Sequence, residues 1–203
     1  MPSLPTLFFD IGGVLLTNAW DTASRKRAAE TFGLDYPEFQ TRHEMLKTAF
    51  ETGRLSLDSY IRKTVFYRDR PFKPEEFRQF MFEQSKTLGD TLEWVRALGR
   101  SGCCRLYTLN NESRELHEHR VRAFQLDTIF QGFLASCYLG AAKPDEDIYR
   151  NALGITACGH EEAIFIDDRA LNVEPALTLG FNAFLFTGLD GLRDHLKERG
   201  ITV

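Results

Sequence analysis

Three apolar stretches of this chain stop at side chains able to do chemistry: the first at Asp10, the second at Asn110 and Asn111, the third at Asp167 and Asp168. A lysine followed by proline, Lys143-Pro144, lies between the last two. Carboxylates with one lysine suit a hard divalent cation beside a phosphate. The cation takes oxygen ligands and the lysine neutralises the remaining charge. A carboxylate left unblocked can attack phosphorus as a nucleophile. Each group taken singly also has a plain structural reading. Asp10 could close a turn, Lys143 could be solvated, and Asp167-Asp168 could sit at a helix start, where acids are favoured. Their order along the chain and their shared placement at strand ends argue for chemistry.

The elements that must position them follow from periodicity. The run 7–9 reads as a buried strand ended by Asp10, with Gly12 and Gly13 opening the backbone just after. Residues 17–20 are a polar connection. Helical patterns then follow over 21–32 with Gly33 as C-cap, 37–52, 56–67 and 73–87, with no convincing strand before residue 103. Strand and helix alternate again from there: helix 90–98, strand 103–109, helix 114–124, a short extended piece in 128–135, and helix 145–153. Strand 163–166, a helix through 177 closed by Gly180, strand 182–186 and an amphipathic helix 189–198 complete the pattern. Short apolar strands alternating with helices imply a mostly parallel sheet covered on both faces, with a helical block inserted after the first strand. In such a sheet the carboxyl ends of the strands share one edge, so the four polar groups can converge.

These residues resemble the haloacid dehalogenase-like hydrolases, in the phosphatase branch that carries a small helical cap after the first strand. The motifs are Phe9-Asp10-Ile11-Gly12-Gly13-Val14-Leu15, Tyr107-Thr108-Leu109-Asn110-Asn111, Gly140-Ala141-Ala142-Lys143-Pro144-Asp145, and Phe165-Ile166-Asp167-Asp168 with Asn172 beyond. The resemblance implies an α/β, Rossmann-like core formed by 1–16 and 87–203 and an all-α cap formed by 17–86. It implies Mg²⁺ as cofactor and a small phosphorylated metabolite as substrate. Asp10 would be the nucleophile and a metal ligand, and Gly12 would offer its carbonyl to the metal. Asp168 would be the acidic metal ligand with Asp167 beside it. Lys143 would hold the phosphate and the Asp10 carboxylate. Asn110, Asn111 and Gly13 would meet the phosphoryl oxygens.

Two departures from the family pattern matter. The phosphatases usually carry a second Asp two residues after the nucleophile, as general acid and base; here that position is Gly12. Such help is worth roughly 10²–10⁴-fold, so poor leaving groups should suffer most. Some helical-cap relatives with Gly there are similar to sugar-1-phosphate phosphatases, whose anomeric oxygen leaves readily. The second departure is Asn110 where Ser or Thr is usual, with Thr108 on the same strand face as the alternative. Metal-free dehalogenation of a haloacid by Asp10, and a non-catalytic phosphometabolite-binding module, are the competing functions.

The totals set the outer bounds. A chain of 203 residues, 43% hydrophobic and 27% charged, buries a sizeable core and fits one domain with an insertion. The net charge of −4 argues against nucleic acid or an anionic membrane as main partner. The four cysteines, Cys103, Cys104, Cys137 and Cys158, form no C-x-x-C pair and are expected to be reduced. Residues 1–6 lack a basic region, so no signal peptide is expected and the cytoplasm is the default. The five histidines show no nucleophile partner or metal spacing and are expected at the surface, with His43 within reach of a substrate. Asn18 and Trp20 are placed near the site entrance, and the basic run 62–70 on a solvated face.

Overall fold

Strand alternation decides which core each residue joins. In β1 (Thr6–Phe9), Leu7 and Phe9 pack into one core and Phe8 into another, because successive strand side chains point to opposite faces. The same split recurs in β4 (Ala163–Asp167): Ile164 and Ile166 go one way, Ala163 and Phe165 the other. Neither strand shows a polar face, which is the signature of a sheet covered on both sides. On the first side lie α5 (Thr91–Ser101) and α10 (Leu189–Lys197), which present Leu92, Val95, Leu98 and Leu192, Leu196 at helical spacing. On the second lie α8 (Glu146–Thr156) and α9 (Ala170–Thr178), with Ile148, Tyr149, Ala152 and Ala176.

The computed structural model describes residues 4–203; the first three residues of the stretch read for a signal peptide lie outside the described residues. Five parallel strands run in the order β3-β2-β1-β4-β5, with β2 (Arg105–Asn110), β3 (Gly132–Ala135) and β5 (Asn182–Leu185) completing the sheet. The chain moves outward from β1 through β2 to β3, then crosses back to β4 on the other side of β1. This reversal puts a crevice beside the end of β1, where ligands of such sheets bind. The fold is therefore the expected Rossmann-like α/β sheet. No helix of the described residues is long and apolar enough to cross a membrane.

Between β1 and α5, the helix that leads back to the sheet, lie four helices: α1 (Thr22–Phe32), α2 (Tyr36–Glu51), α3 (Leu57–Thr64) and α4 (Pro74–Glu83). Asp21, Asp35 and Ser56 cap the first three by accepting from Ser24, Glu38 and Ser59 backbone N–H groups. Gly33 closes α1 at φ 59, a left-handed conformation that costs glycine nothing. These helices enclose a core of their own, holding eight of the 17 phenylalanines. Phe50 stacks on Tyr60 at 4.1 Å between ring centroids.

The two chain segments joining this block to the sheet are bonded to each other. Thr17 N–H donates to Lys86 O, Thr17 Oγ1 donates to Gln84 O, and Leu88 N–H donates to Leu15 O. From α6 (Arg114–Ala123), the buried Arg120 reaches both segments: Nη2 donates to Thr17 O at 2.6 Å and Nε to Ser85 Oγ at 3.1 Å. Its Nη1 pairs with buried Glu112 at 2.8 Å.

Several expectations need correction. The extended piece in 128–135 is a full strand, β3, pairing with β2 from Gly132 to Ala135, and residues 136–139 then form one helical turn, α7 (Ser136–Leu139). Cys103 and Cys104 precede β2 instead of belonging to it, although all four cysteines are free thiols as expected. Helices α3 and α4 stop three and four residues short of the expected ends, at Thr64 and Glu83. His43 and His117 are buried, 3% and 2% exposed, not surface residues: the periodicity of α2 and α6 places them inward, where tertiary neighbours supply polar partners.

Candidate active site

Asp10 follows β1 directly and continues its pairing, since its N–H donates to Ile166 O. The turn beyond is tight: the N–H groups of Leu15 and Leu16 both donate to Ile11 O. The Asp10 side chain is thereby fixed at the strand end. Its Oδ1 accepts from Ile11 N–H at 2.8 Å and lies 3.2 Å from Lys143 Nζ. Among the described residues its Oδ2 has no hydrogen-bond or ion-pair partner.

Lys143 enters from the segment before α8 and is buried. Its Nζ donates to Asp167 Oδ2 at 2.6 Å and to Leu109 O at 2.8 Å, besides facing Asp10. Asn111 explains how the backbone there is held. Its Nδ2 donates to Lys143 O and its Oδ1 accepts from Lys143 N–H, at 2.7 and 2.8 Å. Both amide atoms are thus engaged with the Lys143 segment, which anchors Asn111 at the cavity floor and leaves its second Nδ2 hydrogen uncommitted.

Asp167 ends β4 with no exposure and is saturated. Besides Lys143 it accepts from Asn172 Nδ2 at 3.0 and 3.1 Å and from Arg169 N–H at 2.8 Å. Asn172 is therefore a supporting residue of the site. Asp168 differs from its neighbour: its Oδ1 is buried with no partner among the described residues. Gly13, at φ 79, lies against that carboxylate, and a Cβ there would collide with it. Gly13 is thus required to let Asp168 approach the Asp10 loop. At Gly12 a Cβ would stand 2.7 Å from Asn18 Oδ1, so Asn18 fills the space of the absent side chain.

The charges are unbalanced. Asp10, Asp167 and Asp168 offer oxygens within 4.8 Å of one another, against the single ammonium of Lys143. Burial pushes the Asp10 carboxyl up to about 7, against the pull of Lys143 and with the added repulsion of Asp167 and Asp168. Asp168 is also raised, chiefly by burial and then by Asp167. Clustered carboxylates, one with an unpaired buried oxygen, fit a hard divalent cation. Asp10 and Asp168 are the side chains with oxygens left for it, and Gly12 lines the same space.

A cavity of about 370 Å³ opens above Asp10, between the strand ends and the helical block. Asp10, Gly12, Asn110, Asn111 and Lys143 form its floor. Trp20, Arg25, His43, Lys47, Phe50 and Glu51 line its helical side. Asn110 reaches the cavity as the last residue of β2, whereas Thr108 lies within the strand and does not. His43, as expected, lines the cavity; its Nδ1 meets Tyr60 Oη at 2.8 Å, and Tyr60 Oη also accepts from Trp20 Nε1 at 2.9 Å. Arg114 turns away, lying over the Tyr138 ring. Sequence reasoning missed Arg120 and Glu112. Nothing in a basic helical stretch marks one arginine as buried.

Comparison with known proteins agrees with this geometry. A flavin mononucleotide hydrolase of Arabidopsis thaliana is 24% identical over 203 residues, covering 98% of this chain and 79% of its own. A haloacid dehalogenase-family enzyme of Bacteroides thetaiotaomicron superposes with a TM-score of 0.78 at 19% identity, over 93% of this chain and 97% of its own. The same enzyme in complex with magnesium and inorganic phosphate gives 0.72 at 18%, over 90% and 93%. The family model for haloacid dehalogenase-like hydrolases matches residues 4–180. With that match over most of its length, and with its carboxylates and lysine gathered at one sheet edge, this chain belongs to the haloacid dehalogenase-like hydrolases.

Proposed function

We propose that the protein is a magnesium-dependent phosphomonoesterase acting on a small phosphorylated metabolite, with Asp10 as nucleophile. The carrying observation is the asymmetry of the Asp10 carboxylate: Oδ1 is held by Ile11 N–H and Lys143, and Oδ2 is free at the floor of the cavity. The relative active on flavin mononucleotide and the related structure that binds magnesium and phosphate support the reading. Helices α1–α4 act as a cap over the sheet edge, the unit 17–86, with 1–16 and 87–203 as catalytic core.

In the reaction, Asp10 Oδ2 forms a bond to phosphorus as the ester oxygen leaves with the bonding pair and is protonated by water. A water then attacks the aspartyl-phosphate, the Asp10–phosphorus bond breaks, and phosphate departs. Lys143 offsets the charge of Asp10 and the phosphoryl group, and Asp167 holds Lys143 in place. Bound at Asp10 and Asp168, magnesium would supply Lewis-acid stabilisation of the phosphoryl oxygens. The helical block excludes bulk water from the cavity.

No acid stands where residue 12 would offer one, and Asn18, an amide, fills the place. The enzyme therefore favours esters whose oxygen leaves readily, such as anomeric sugar phosphates, over phosphates of ordinary alcohols. The experiment is phosphate release from a panel including hexose 1-phosphates, hexose 6-phosphates and flavin mononucleotide, with magnesium or chelator, for the parent and Asp10→Asn. Magnesium-dependent release lost in Asp10→Asn is expected. No release from any ester by folded, magnesium-binding protein would favour the binding module. Equal rates for 1- and 6-phosphates would refute the leaving-group argument.

A further inference from the structure

Asn110 is 1% exposed and lines the cavity floor, yet only one end of its amide has a protein partner. Its Nδ2 position lies 3.5 Å from His117 Nδ1, and its Oδ1 position is buried with none among the described residues. The oxygen and nitrogen of a side-chain amide are interchangeable in shape, so chemistry must decide which end faces His117. A buried polar atom without a partner costs about 1–3 kcal/mol, so the unpaired end is one that a ligand should complete. If that ligand is a phosphoryl group, it offers only acceptor oxygens. An amide oxygen facing it would repel, and an amide NH₂ would bind. The oxygen must then face His117, and His117 must supply the hydrogen.

The surroundings of His117 allow this. It is buried edge-on between the rings of Phe133 and Tyr138, both 5.5 Å away between centroids, and no protein group pairs with its Nε2 among the described residues. Burial, and then the charge of Arg120, hold its pKa down to about 4, so the ring is neutral at pH 7 and its one proton can sit on either nitrogen.

We propose that His117 keeps its proton on Nδ1, donates it to the side-chain oxygen of Asn110, and so aims the Asn110 NH₂ at the phosphoryl oxygens. This rests on the phosphomonoesterase reading. It makes His117 a positioning residue, required because Asn110 stands where a hydroxyl would choose its own direction. A serine or threonine donor rotates freely to its acceptor. An asparagine must be told which end to present.

The test is a double-mutant cycle between His117→Phe, which keeps the aromatic packing and removes the donor, and Asn110→Ser, which substitutes a self-orienting hydroxyl. Affinity of the magnesium-loaded protein for inorganic phosphate is measured beside kcat/KM on the best ester. A hydrogen bond to a charged group is worth about 1.5–3 kcal/mol. His117→Phe should therefore weaken phosphate binding and kcat/KM by about 10- to 100-fold in the parent, and by less than about threefold in the Asn110→Ser background. His117→Asn, which keeps a donor near Nδ1, should restore much of the loss. Equal losses in both backgrounds would overturn the proposal. Nitrogen-15 NMR of the phosphate-bound protein gives a readout independent of turnover: Nδ1 protonated supports it, and Nε2 protonated overturns it. Absence of ester hydrolysis by the parent would sink the phosphomonoesterase reading instead, leaving phosphate binding and the tautomer to decide the role of His117.

Discussion

Replacing Lys143 by Met is the sharpest test of the charge arrangement. The Lys143 side chain is 1% exposed, and its three N–H bonds serve Asp10, Asp167 and Leu109 O. Methionine matches its length without a charge. The variant keeps two buried carboxylates, one of them fully buried, and removes the ammonium that pairs with both. Breaking a buried pair by deleting one partner costs about 3–5 kcal/mol, a large share of the roughly 5–15 kcal/mol that holds a typical protein folded. For a chain of this size each kcal/mol lowers Tm by about 2–4 °C, so a drop of about 6–20 °C is expected. The assay is urea unfolding followed by tryptophan fluorescence at pH 7.5, with chelator and with excess magnesium. Magnesium at about 100 times its Kd should return roughly 2.7 kcal/mol, because it supplies the missing positive charge. Acid should narrow the gap as well, since protonated carboxyls no longer need a counter-ion. Parent and variant within about 1 kcal/mol of each other in chelator would refute the reasoning.

Other outcomes follow from the same geometry. Gly13→Ala forces a Cβ onto the Asp168 carboxylate at a positive φ; magnesium affinity by calorimetry should fall at least tenfold, with stability lower by about 1–3 kcal/mol. Arg120→Met strands buried Glu112 and frees Thr17 O and Ser85, so unfolding free energy should fall by about 3–5 kcal/mol; the double variant with Glu112→Leu should recover much of it. In metal-free protein, Asp10 titrates near 7 when folded and near 3.8 when unfolded. The native state binds its proton more tightly, so this group's contribution is lost as pH rises from about 4 to 7. Asp10→Asn should therefore become progressively more stable than the parent over that window in chelator, by equilibrium unfolding at each pH. His43 and His117 act with the opposite sign. Their pKa values are lowered to about 3 and 4 by burial, so their contribution is lost as pH falls below about 6.5, and His43→Gln should flatten that acid limb.

The sequence by itself determined where the chemistry gathers. Strands β1, β2 and β4 are short apolar runs that each stop at a polar residue, and a parallel sheet brings their carboxyl ends to one edge whatever the intervening chain does. Asp10, Asn110 and Asp167-Asp168 were legible for that reason, Lys143 was legible as a lysine before Pro144 at a helix start, and the helical insertion after residue 17 was legible from helical periodicity alone. The edge strand β3 was less legible, because four residues with one glycine carry little pattern and gain their identity from pairing with β2. Only the tertiary structure assigned work within the site. It showed that Asn111 is engaged with the Lys143 backbone, that Asp167 is saturated while Asp168 keeps an unpaired oxygen, and that Gly13 gives Asp168 its room. It also placed His117, expected at the surface, and Arg120 as buried anchors on α6. The partners of Arg120 lie at residues 17, 85 and 112, and those of His117 at 110, 133 and 138. Local sequence fixes which helix face a side chain occupies, whereas burial and hydrogen-bond partners depend on what distant segments bring to that face.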